Sequence, residues 1–184
     1  VTADGFILPG YEALAEGTAA LADALGAHCA NEGDIAAAHA AFSDVFLAWQ
    51  RVSVIQVGPV MAAEGPMRVQ LWPDPKGFSR RAVRMAVQAE DPALLAPGGL
   101  SGRSIALVNL TALEGLIYGD LGPGTYACDL SHAIARYQSD LAHAFVEAWR
   151  PGSEFRAAYD TAGNGNPRYA SVDALIRELL AGGV

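Results

Sequence analysis

Apolar side chains at alternating spacings of three and four run twice through the first part of this chain. Tyr11, Leu14, Thr18, Leu21, Leu25 and His28 form one series; Ile35, Ala38, Phe42, Val45, Trp49 and Val52 form the next. At about 100° per residue, each series lies along one stripe of an α-helix, whereas a strand would need a period of two. The spacing predicts helices over about 9–29 and 34–56. Pro9 suits a first turn, and Asp34, closing the turn "NEGD", suits an N-cap. So short a connection makes the two helices antiparallel neighbours.

The same period returns in Tyr126, Leu130, Ile134, Tyr137, Leu141 and Phe145, which predicts a long helix from Thr125 to Trp149. A shorter one is expected from Ser79 to Glu90, a buried one over 103–118, and a last one from about Ser171 carrying Val172, Leu175, Ile176, Leu179 and Leu180. Between them lie the segment "GPVMAAEGPMRVQLWPDPKGFS" (58–79), the connector "DPALLAPGGLSG" and the loop "TAGNGNP" (161–167). Loops beyond about 12–15 residues are uncommon and tend to be functional or disordered. With Met67, Leu71 and Trp72 in it, the 58–79 segment is expected to be packed. No strand alternation and no short internal repeat appears. The fold class is all-α, built on an up-and-down helical bundle.

Length fits one large domain or two small ones, with a real core: 184 residues, 52% hydrophobic. The net charge of −8 comes without a basic stripe, which argues against nucleic acid as a partner. No apolar run reaches the roughly 18 residues of a membrane-spanning helix. The chain opens on Val1 rather than Met, as expected if an N-terminal segment is removed.

The stretch "ALVNLTALEGLIYGD" (106–120) sets a carboxylate among apolar residues. On one continuous helix, Leu107, Thr111, Glu114 and Tyr118 share a stripe, and Thr111 can meet Glu114. A buried Glu needs a partner. Two readings stand: a structural ion pair, with Arg51 as a candidate partner, or a ligand or ion site. The four histidines lack close metal-ligand spacing, and no HExxH, GxSxG, P-loop or CxxC occurs. The two cysteines, Cys29 and Cys128, sit at the end of one expected helix and the start of another. They are either a bridge or two buried thiols.

Taken in order, "ILPGYEALAEGTAALADAL", "AWQRVSVIQVGPV", "LWPDPKG", "LTALEGLIYG" and "FVEAW" resemble the imelysin family over nearly the whole chain. The resemblance implies an imelysin-like helical domain over 1–184, the first of two duplicated bundles in a longer fold. It implies a bacterial envelope protein, periplasmic or a lipoprotein anchored to the outer membrane after removal of a signal segment. Components of iron uptake are the implied partners, and iron or another divalent metal the implied cofactor. That location would permit a Cys29–Cys128 bridge. The family carries a metallopeptidase label and the motif G-x-H-x-x-E. Here the aligned positions are Asn109, Thr111 and Glu114, so the His is replaced. A catalytic zinc usually needs three protein ligands and an open position, which argues against peptidase chemistry. The expected function is a non-catalytic binding protein linked to iron or haem acquisition. The alternatives are a metal-dependent peptidase and a helical partner-binding module. The candidate ligand or metal site is Glu114, Thr111, Asn109, Arg51, Trp72 and Asp74.

Overall fold

A computed structural model describes residues 3–181 apart from 63 and 164, and at 62 and 181 the backbone only. Val1, and Asn164 in the loop expected at 161–167, lie outside the described residues. A π-helical turn, Ala3–Ile7, leads into α1 (Leu8–Cys29) and α2 (Ile35–Val52). Two short helices follow, α3 (Pro59–Ala62) and α4 (Gly65–Val69), then α5 (Phe78–Ala89) and a 3-10 turn at Pro92–Leu94. Next come α6 (Ile105–Val108), α7 (Leu110–Ile117), α8 (Tyr126–Trp149), α9 (Glu154–Asp160) and α10 (Val172–Ala181). Among the described residues there is no strand.

The first periodic series becomes the spine of the core. All six of its members, Tyr11 through His28, are buried, and α1 packs along both α2 and α8. Leu21 and Leu25 are fully buried, each contributing about 1.5–3 kcal/mol of transfer free energy. Small residues set how close the helices come. A Cβ on Gly17 would stand 3.3 Å from Val45, and one on Gly26 would stand 3.2 Å from the His132 ring. Asp34 caps α2 by accepting from the Ala36 amide at 2.9 Å, as its position suggested. At the same end of the bundle, Cys29 and Cys128 form a disulfide with Cα atoms 5.5 Å apart. There the buried His28 also meets the Leu121 carbonyl through Nε2 at 2.9 Å.

Four expectations need correction. The helix expected over 103–118 is broken at Asn109. Asn side chains compete for backbone groups and favour caps over helix interiors. Asn109 Oδ1 accepts from the Ala112 amide at 3.0 Å, starting α7. Its Nδ2 donates to the Ile105 carbonyl at 2.7 Å. The Val108 carbonyl, also released by the break, accepts from buried Gln138 of α8. The 58–79 segment is not one loop, since Pro59 and Pro66 each stand in the first turn of a short helix. It is packed as expected, but through Val60 and Val69, which are fully buried, while Met67 is half exposed and Trp72 is 75% exposed. Helix α2 stops at Val52 rather than at 56. An unexpected helix, α9, starts where Ser153 accepts from the Arg156 amide. Buried Arg156 then ties the N-terminal turn to this helix, with Nη2 2.7 Å from Asp4 and Nε 2.9 Å from Asp160.

Candidate functional site

Helix α7 buries Leu110, Ala112, Leu113, Leu116 and Ile117. Five apolar side chains on one side of eight residues turn the rest of the helix outward. Thr111 is therefore half-buried, while Glu114 and Tyr118 are exposed. This corrects the expectation of a buried carboxylate. The stripe of Thr111, Glu114 and Tyr118 exists, but its first two members face a groove, where Glu114 keeps its hydration instead of needing a buried partner. Tyr118 is held by stacking on His39, ring centroids 4.6 Å apart, and by the edge of Phe42.

The groove has a volume of about 630 Å³. Helix α2 supplies Phe46, Trp49 and Gln50; the segment after it supplies Ser53 and Gln56. Met67 and Gln70 come from α4 and its end, and Trp72 from the loop that follows. Thr111 and Glu114 close it, and Glu114 is the one charged residue lining it among the described residues. Gln50 Nε2 donates to Gln70 Oε1 at 3.1 Å, holding two of its amides in register. Thr111 Oγ1 donates to the Leu71 carbonyl at 3.2 Å and so fixes the Trp72 loop against α7. The Trp72–Pro73 peptide is cis.

The six residues proposed from the sequence separate. Thr111, Glu114 and Trp72 meet in this groove. Asn109 does not reach it: the side chain is buried, bonded to Ser79 Oγ at 3.2 Å and to the backbone of α6 and α7. Arg51 makes no ion pair with Glu114. It lies two residues, about 200°, round α2 from Trp49, in a different groove with Phe6 and Pro9. Asp74 stands on the far side of Trp72. Its two oxygens accept from the Ser79 and Phe78 amides at 2.9 and 2.8 Å, capping α5. Those backbone donors, Ser79's first, hold its carboxyl below the ordinary range.

The reading of the sequence missed Phe46, Gln50 and Ser53. Their spacing of four and three makes a second stripe on α2, hidden beside the stronger core stripe. It also missed a second groove of about 550 Å³ behind Trp72, lined by Lys76, Arg80 and Arg84.

A cation shared by protein ligands would need several donors converging. Among the described residues no group of three His, Cys, Asp or Glu side chains does so. At the motif positions this chain offers one carboxylate and one hydroxyl, and that hydroxyl is engaged by Leu71. Among the described residues these positions do not supply the three protein ligands that a catalytic zinc usually has.

The class these features define is an all-α bundle with an aromatic- and amide-lined groove bearing a single carboxylate. The family model for imelysin, peptidase M75, matches residues 7–184, and the chain belongs to the imelysin family. A crystal structure of an imelysin-like protein from Psychrobacter arcticum 273-4 shows the same fold, with a TM-score of 0.80 over 98% of this chain at 17% identity. This chain spans 55% of the length of that structure. A search of curated proteins returned no match.

Proposed function

We propose that this protein is a non-catalytic binding protein of the bacterial cell envelope, associated with iron or haem uptake, whose groove at Glu114 takes a small ligand. The observation that carries the reading is the groove's make-up. One carboxylate stands opposite exposed Trp72 and Phe46, with Thr111 where the family motif has its His. Aromatic faces and fixed amides supply area and orientation; a lone charge supplies selection. The ligand class is an organic molecule with a flat apolar part and a donor or cationic group for Glu114. The association with iron rests on the family. The envelope location is supported by the family and by the Cys29–Cys128 bridge, since such bridges persist in oxidising compartments.

The test combines metal analysis of the purified protein, a peptidase assay with and without chelator, and fractionation of the producing cells. The expected result is no chelator-sensitive cleavage and recovery in the envelope fraction. Chelator-sensitive hydrolysis of a protein substrate, lost in Glu114→Gln, would overturn the reading in favour of a metallopeptidase.

A further inference from the structure

The second groove, behind Trp72, has a different chemistry. Lys76, Arg80 and Arg84 line it, all three exposed. Between 75 and 89 the chain has Lys76, Arg80, Arg81 and Arg84 and no Asp or Glu, in a protein with 12 basic and 20 acidic residues. Arg81 is occupied over the Phe78 ring at 5.8 Å. The three groove cations make no ion pair among the described residues. Like charges four apart on a helix, as Arg80 and Arg84 are, repel. The one acid in the groove wall, Asp74, turns both oxygens onto the amides that begin α5. Asp74 stays ionised there, so the groove wall carries three cationic side chains against one carboxylate, and that carboxylate is committed to the helix end.

From this we infer that the groove is a binding site for a small organic polyanion, a molecule with two or more carboxylate or phosphate groups. Arg80 and Arg84 rise about 6 Å apart along the helix, so two anionic groups at that separation engage both. Guanidinium groups bind carboxylates and phosphates through paired N–H donors. Lys76 adds a third charge, and the Trp72 indole, 75% exposed, gives the carbon skeleton a flat wall. The site is separate from the Glu114 groove, with Trp72 and Thr111 as the common partition.

Calorimetric titration with citrate and with pyrophosphate tests this and separates the polycarboxylate from the phosphate source. Acetate is the monoanion control, and melting curves accompany each variant. At least one polyanion is expected to saturate a single site. Its Kd should rise at least about tenfold in Arg80→Glu/Arg84→Glu, and less in Arg80→Gln/Arg84→Gln, with the melting temperature kept. Glu114→Gln should leave this binding unchanged, which distinguishes failure here from failure of the Glu114 reading. Three outcomes would overturn the inference: neither polyanion binding better than acetate, binding insensitive to both double variants, or loss in Glu114→Gln alone.

Discussion

Thr111, at the position where the family motif has its His, donates its hydroxyl to the carbonyl of Leu71, 40 residues earlier in the chain. The relationship turns a motif position into a strut that holds the Trp72 loop over α7. Thr111→Val keeps the shape and removes the donor. A net hydrogen bond is worth about 1 kcal/mol, so a stability loss of that order is expected in urea unfolding. Ligand binding at the groove should weaken more than this, because Trp72 is released. A variant with a wild-type unfolding midpoint would show that the bond contributes nothing.

Glu114 is exposed, so its removal leaves no orphaned buried charge. Glu114→Gln is expected to change stability by no more than about 0.5 kcal/mol, while altering selection at the groove. Thermal melts beside binding titrations separate the two roles. A loss of several kcal/mol would reveal a structural ion pair and exclude a site residue.

Asn109 carries the opposite expectation. Asn109→Ala removes an N-cap, about 1 kcal/mol, and strips buried Ser79 and the Ile105 carbonyl of a donor, each about 1–3 kcal/mol. A total of at least about 3 kcal/mol is expected in denaturant unfolding. A near-neutral result would mean that α6 and α7 can fuse into one helix at little cost.

The Cys29–Cys128 bridge closes a loop of 99 residues, for which the chain-entropy model gives about 4.7 kcal/mol. Thiol titration of the unfolded, unreduced protein should find no free thiol, and reduction should lower the melting temperature markedly. Two titratable thiols in protein isolated without reductant would refute the bridge and weaken the envelope assignment with it.

His132 packs against Gly26, and burial, followed by the nearby Arg136, lowers its pKa below the usual value. The unfolded chain therefore binds the proton first as pH falls. Stability should decline as pH drops below about 6.5, down to the folded-state pKa. His132→Phe should flatten that part of the stability profile. An unchanged slope would assign it to other groups.

The sequence by itself determined the long helices, because a period of 3.6 over 18 or more residues, as in α1, α2 and α8, leaves one way to bury the apolar stripe. The Asp34 cap was readable for the same reason: it depends on neighbours two residues away. The family was readable from motifs in order along the chain. Tertiary structure decided what depends on competition between distant groups. The break at Asn109 required Ser79 and Gln138 to satisfy what the break releases, and both lie about 30 residues away. Whether Glu114 faced core or solvent depended on that break, since α7 as a separate helix turns its five apolar side chains to the bundle and Glu114 away from it. The separation of Arg51 and Asp74 from Glu114, and the gathering of Lys76, Arg80 and Arg84 behind Trp72, follow from where the 58–79 segment lies. Its path is set by contacts such as Thr111 with Leu71 rather than by any local period.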